Sequence, residues 1–279
     1  MRSVCAALSL LPVRLLAAAA AMACAAASMA AAELPRPAHP GKLTAGVRYV
    51  PAPFVGGAKV RTPESTETFL IEDVARQLGL TAQTAPLAAD EAPGAQAVDF
   101  AVMDLPQADQ SGAEGRAAPD GVIEVPTGLL RRPMAIMRTD TDIKTWEQLR
   151  GRTVCLARDG LYEGKIAQRY GAIEKVFRAP ADALLALRTG GCDAAVHDDV
   201  MLRALLAYPE WKKFSASLAP GPAARQVFLV PKENQALAGL LQRMVRNWQS
   251  EHRQEKLLAR MARDIAFEVY LDQTVPDCH

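Results

Sequence analysis

The residues that could do chemistry are densest in "GGCDAAVHDDVMLRALL", residues 190–206, where a thiol at Cys192 opens a short apolar run and His197, Asp198 and Asp199 close it. A carboxylate at the end of a buried run can form charge-assisted hydrogen bonds with an ammonium or guanidinium. It can also cap the helix that follows, here "VMLRALL", by accepting from the free amides of its first turn. Both uses are open for Asp198 and Asp199, and one aspartate could serve each. The four histidines, His39, His197, His252 and His279, have no metal-ligand spacing. Nucleophile motifs and phosphate loops are also missing, so neither a metal nor a cofactor is expected. Acid–base catalysis would have to fall to Glu163, His197 and Asp198, although a strand-end histidine is as readily structural.

These residues belong to a chain that reads as exported. Residues 1–32 carry Arg2 and Arg14 but no acid, then a Leu/Ala-rich centre and small residues ending in Ala30, Ala31 and Ala32, which is a secretory signal. Its centre lacks the roughly 20 strongly apolar residues of a membrane span, and Cys24 after "AMA" leaves a lipoprotein as a subsidiary reading. Removal leaves 247 residues, enough for one large domain or two lobes with separate cores, and 30 basic against 31 acidic side chains. That balance is no electrostatic footprint for nucleic acid. The remaining cysteines are Cys155, Cys192 and Cys278, in a compartment where disulfides persist. An odd number allows one internal pair at most. Cys155 with Cys192 is preferred because each sits in a β-like run in one region of the chain; two buried thiols are the alternative.

The elements that must position these groups alternate. "KLTAGVRYV" reads as a strand and "ETFLIEDVARQLGL" as a helix ended by Gly79. "AVDFAVMDL" is a buried strand, and "DLPQADQSGAEGRAAPDG" a polar loop. Strands follow at "GVIEVP" and "RPMAIMR", a short helix at "TWEQLRG", a strand at "RTVCLA", a helix at "YEGKIAQRYG" and a further apolar segment at "IEKVFRA". "PADALLALRTGG" has Pro180 in its first turn and Gly190 beyond its end, the helical asymmetry. "CDAAV" is a strand, "DDVMLRALLAY" a helix and "ARQVFLVPK" a strand. Such alternation predicts an α/β fold with parallel strands and helical crossovers. Leu237, Leu240, Leu241, Met244, Val245 and Trp248 form one helical stripe in the tail, and Leu257, Leu258, Met261 and Ile265 a second.

Seven of these segments, in order, resemble the family 3 extracellular solute-binding proteins, the periplasmic receptors of polar amino-acid ABC transporters. They are "LTAGVRYVPAPF", "TFLIEDVARQLGL", "VDFAVMD", "VIEVPTGLLRRPMAIMR", "TWEQLRGRTVCLARDG", "ALLALRTGGCDAAVHDD" and "VFLVPKEN". The resemblance implies a two-lobed periplasmic-binding-protein type II fold, each lobe a mixed, mostly parallel sheet flanked by helices. Lobe one would comprise 33–131 with the C-terminal helices of 232–279 returning to it, and lobe two 132–231. It further implies a monomer that closes on a small polar solute and presents it to an ABC permease. Asp198 would bind the ligand's amino group, and the disulfide would match the family's cysteine pair, Cys155 in "GRTVCLA" and Cys192 in "GGCDA". Phe54 in "APF" would cover one wall of the pocket, with Tyr49 as a lesser neighbour.

The family's carboxylate-binding motifs are altered. Its Thr-x-x-Arg segment is displaced by the polar loop, where Arg116 alone could stand in. Its hydroxyl-bearing turn reads "ARDGLYEG", so Leu161 and Tyr162 replace the hydroxyl pair, while Gly160 keeps the turn and Asp159 opposes an anion. Thr127 and Gly128 stand where the family often has aromatics. The leading function is therefore transport of an amino acid or a related amine or organic acid. The alternatives are a periplasmic accessory module to a redox enzyme, a sensor-like ligand domain, and a dehydratase on the same scaffold.

Overall fold

The computed structural model describes residues 35, 37–48, 59–63, 66–87, 97–107, 117–158 and 160–273. Phe54, Tyr49, Arg116, Asp159, Cys24, Cys278 and the signal of residues 1–32 lie outside them. Two five-stranded sheets organise the rest. The first is built from β1 (Lys42–Val47), β2 (Thr81–Pro86), β3 (Phe100–Pro106), β4 (Val122–Arg131) and β10 (Ala224–Pro231), in the order β2-β1-β3-β10-β4. The second contains β5 (Pro133–Met137), β6 (Thr153–Ala157), β7 (Ile173–Phe177), β8 (Ala194–Asp198) and β9 (Ala216–Ser217), ordered β7-β6-β8-β5-β9.

Each sheet is mixed. β1 runs parallel to β2 and β3, and β6 parallel to β7 and β8, as helical crossovers require. β10 runs antiparallel to β3 and β4, and β5 antiparallel to β8 and β9. Those antiparallel pairs arise because the chain crosses between sheets twice, leaving by β4 into β5 and returning by β9 into β10. The edge strand β2, "TAQTAP", has no long apolar run to announce it and is half exposed.

Local chemistry explains the helices. α1 (Glu67–Leu78) ends where Gly79 takes a left-handed φ of 67° and its amide reaches back to Arg76 O, a geometry that costs a residue with Cβ. α2 (Lys165–Tyr170) is a short turn of helix, and α3 (Pro180–Arg188) starts on proline, whose missing N–H costs nothing there. α4 (Asp199–Leu206) follows β8 directly. α5 (Gln235–Ser250) is capped by Asn234, whose side chain accepts from the Leu237 amide at 3.3 Å.

The apolar stripe of α5 packs on the first sheet with α1, burying Phe228 edge-on to Phe100 at 5.5 Å between ring centres. Full burial of each such side chain contributes roughly 1.5–3 kcal/mol. On the second sheet, period-two alternation sends Val154 and Leu156 to one core and Cys155 to the other.

α6 (Arg253–Asp272) departs from the expectation that both tail helices return to lobe one. Its stripe of Ala262, Ile265, Ala266 and Val269 is buried against α3 and α4 of the second sheet. It is also tied to the first half, at its start through Arg253 to Asp73 at 2.7 Å and Gln254 to the Thr127 carbonyl at 2.9 Å, and further along through Arg260 over the Phe69 ring at 5.4 Å. Its end meets the segment 59–63, where Thr62 donates to Glu268 and Arg61 bridges Asp272 and Asp182. The helical stripe is visible in sequence, but which surface receives it is a long-range packing outcome.

Candidate ligand-binding site

The carboxyl ends of β3, β4 and β8 converge between the two sheets. In open α/β sheets this is where ligands bind, because side chains there leave the sheet and face a crevice. Asp198 ends β8 and is buried. Arg131 ends β4, 4% exposed, and its Nε donates to Asp198 Oδ2 at 3.0 Å while its Nη1 donates to Asp104 Oδ2 at 3.0 Å. Tyr162, in the turn after β6, donates its hydroxyl to Asp198 Oδ1. The two halves thus share one buried ionic network, with Asp104 and Arg131 from the first sheet and Tyr162 and Asp198 from the second.

Burial sets the electrostatics. The Asp104 carboxyl is pushed above its ordinary value, first by loss of water and then, against the pull of Arg131, by the Asp198 charge. The Tyr162 hydroxyl is driven well above its usual range by burial and by Asp198, so it remains a donor. Glu67, at the start of α1, is raised to about 7 by burial first and by Asp104 second, with Arg131 and Arg48 pulling the other way. Lys165 is lowered, by desolvation of its charged end first and repulsion from Arg48 second.

Two acceptors complete the space. Asp104 and Gln226 are opposite each other on β3 and β10, so their side chains share one face of the sheet. Asp104 Oδ1 and Gln226 Oε1 are both buried without a hydrogen-bond donor among the described residues. Buried acceptors without donors are costly.

The raised Glu67 pKa has a stability consequence. The folded state keeps a proton to about pH 7 that the unfolded chain releases near 4.5, so this contribution is full below 4.5 and is lost as pH rises through 7. Unfolding free energy is expected to fall by on the order of 3 kcal/mol across that window from this residue. Glu67→Gln should flatten the slope, measured as urea midpoints at pH 5 and pH 8.

The expected residues fare differently. Asp198 is at the cleft, and its side chain makes no capping bond to α4. Asp199 takes the first turn of that helix, pairing with Arg203 at 3.5 Å while its amide donates to the Arg132 carbonyl. Neither aspartate side chain caps the helix: Asp198 turns to Arg131 and Tyr162, and Asp199 to Arg203. Gly160 is buried and its amide donates to Ala157 O. The free amides around the start of α2 hold an anion, but it is internal: Glu174 accepts from Gly164 and Ala167 at 2.7 and 2.8 Å. His197 is opposite Met134 in the ladder, and its Nδ1 accepts from the Asp198 amide at 2.6 Å. Cys155 and Cys192 form a disulfide with Cα atoms 5.9 Å apart.

Sequence reasoning did not single out Asp104, Arg131, Glu67 or Gln226. A carboxylate interrupting the buried run "FAVMDLP" was a usable signal for Asp104. For Arg131 the signal was "LLRRP", two charges at the end of a strand. Tyr162, read as the loss of a hydroxyl pair, supplies a hydroxyl after all.

No protein-family model and no curated protein sequence matches the chain. Solved structures do. An ancestral cationic amino acid solute-binding protein superposes with a TM-score of 0.52 at 17% identity, covering 79% of this chain and 95% of that one. The amino acid ABC transporter substrate-binding protein AbpA from Streptococcus pneumoniae, bound to L-arginine, gives 0.51 at 13% identity, over 81% and 96%. The fold is that of the amino-acid solute-binding proteins. A further structure of an amino acid ABC transporter substrate-binding protein from Streptococcus pneumoniae, also bound to L-arginine, gives 0.50 at 15%, over 80% and 94%. In terms of the solute-binding fold, the ionic network of Arg131 and Asp198 lies between the lobes, where the strands of both point.

Proposed function

We propose that the chain is a periplasmic solute-binding protein that captures a small zwitterionic or cationic metabolite of amino-acid type and delivers it to an ABC permease. The observation that carries this reading is the convergence of Asp198 and Tyr162 from one half with Asp104 and Arg131 from the other. The ligand's ammonium group would be accepted by Asp198, with Asp104 and Gln226 as further acceptors, and its carboxylate by Arg131, whose planar fork suits it. Binding must exchange the internal Arg131–Asp198 bond for bonds to ligand, so affinity depends on contacts to both halves, which biases the molecule toward closure. The L-arginine bound in the Streptococcus pneumoniae fold neighbours supports this choice of class. Phe54 and Arg116 remain candidates for one wall and for the carboxylate, and Gly160 for the turn beside it.

Calorimetry of the full mature chain with L-arginine, L-lysine and a panel of amines and organic acids tests the proposal. Asp198→Asn is expected to weaken the best ligand ten- to a hundredfold, roughly the 1.5–3 kcal/mol of a hydrogen bond to a charged group. Absence of heat for every compound, together with no small molecule released from freshly purified protein in mass spectrometry, would remove the reading.

One observation favours the accessory reading. α6 is bonded to the first half at its start and buried in the second at its end, so wide opening must break one set of contacts. Small-angle scattering separates the two: a transport receptor contracts when ligand is added, whereas a strapped module keeps one radius of gyration. The dehydratase reading rests on Glu163, His197 and Asp198 and is tested by turnover of prephenate.

A further inference from the structure

We propose that a groove beside the two crossing segments is a second, separate ligand site, which takes a small organic molecule bearing two or more carboxylate or phosphate groups. The groove encloses about 700 Å³, within the roughly 300–1,000 Å³ of small-molecule sites. It is lined by Arg132 from the first crossing, residues 219–223 from the second, Trp146 and Arg150 from the short helix Trp146–Leu149 and its end, and Arg169 and Tyr170 from α2. Three guanidinium groups therefore face one carboxylate, that of Glu147.

Neither Arg132 nor Arg150 has an acidic partner among the described residues, and the guanidinium of Arg169 sits 5.5 Å from the centre of the Tyr170 ring. Arginine forks of this kind grip carboxylate and phosphate with paired donors. Consecutive residues of an extended strand point to opposite sides. In "LLRRP" this sends Arg131 into the buried cleft and Arg132 outward into the groove.

The walls are fixed before any ligand arrives. The Trp146 ring stacks on Tyr170 at 5.1 Å and 24°, and its Nε1 donates to the Ala219 carbonyl at 2.8 Å, tying the second half to the returning segment. Gly221 donates to the Pro133 carbonyl at 2.8 Å, and a Cβ there would come within 2.8 Å of the Pro133 ring, so that approach requires glycine. A preformed site spares the ordering cost of binding. Because the lining comes from both crossings, an occupant touches the parts of the chain about which the halves would turn.

Citrate and inorganic pyrophosphate, each titrated calorimetrically into the full mature chain at low ionic strength, are the probes; the first represents carboxylate ligands and the second phosphate ones. Saturable one-to-one binding of at least one is expected, weakened at least tenfold in Arg132→Ala/Arg150→Ala and unchanged in Asp198→Asn. Trp146→Phe should abolish the accompanying fluorescence change in an otherwise wild-type chain, which gives a readout even where the double variant does not fold. No saturable binding of either probe, binding that survives the double variant, or binding altered in Asp198→Asn would overturn the site. The last outcome would move the anion to the cleft and leave the cleft reading standing.

Discussion

Replacing Arg131 with methionine is expected to lower the unfolding free energy at pH 7 by about 3–5 kcal/mol, the usual cost of removing one partner from a buried ion pair. For a chain of this size that is a loss of roughly 6–20 °C in melting temperature, at about 2–4 °C per kcal/mol. The reason is the arithmetic of the cleft. Arg131 donates to both Asp104 and Asp198, and without it two buried carboxylates are left facing each other with Glu67 nearby. The sign with pH follows from the raised Asp104 and Glu67 values: both accept protons in the folded state before they do in the unfolded one, so the penalty shrinks as pH falls toward 5. Urea titrations at pH 7 and pH 5 read both effects. Adding Asp104→Asn and Asp198→Asn to Arg131→Met removes the stranded charges and should recover part of the loss. A single variant as stable as wild type at pH 7 would mean that the halves do not share this network in solution.

Loss of the Cys155–Cys192 crosslink is expected to cost roughly 4 kcal/mol, from the loop-closure entropy released to the unfolded chain across a separation of 37 residues. The bond fastens the interior strand β6, through Cys155 on its helix-facing side, to the turn that leads from α3 into β8, the central strand. That turn delivers Asp198, so the crosslink braces the strand carrying the acidic contact. Cys155→Ala/Cys192→Ala, compared with wild type by urea denaturation in the absence of reductant, should show the loss. Adding dithiothreitol should bring wild type to the variant's midpoint. An unchanged midpoint in the double variant would show that the bridge does not constrain the unfolded chain.

Much of the architecture was written locally. Hydrophobic periodicity and the proline and glycine at Pro180 and Gly79 determine the helices, and the alternation of strands with helices determines the class, because these signals depend on neighbours a few residues away. The disulfide pairing was legible because only three cysteines lie beyond the segment read as a signal and two of them belong to strand-like runs. Asp198 was legible because it ends an apolar run. The edge strand β2 was not: its residues are polar and its strand state comes from pairing with β1. Nor was the placement of α6, whose apolar stripe fits any apolar surface until the second half presents α3 and α4. The buried network was the hardest to foresee. Asp104, Arg131 and Tyr162 are far from Asp198 along the chain, and each alone reads as an ordinary surface or strand-end residue. Their charges acquire meaning only when folding strips away water and leaves them to one another, since the cost of a buried charge is set by its partners in space, which the linear order does not specify.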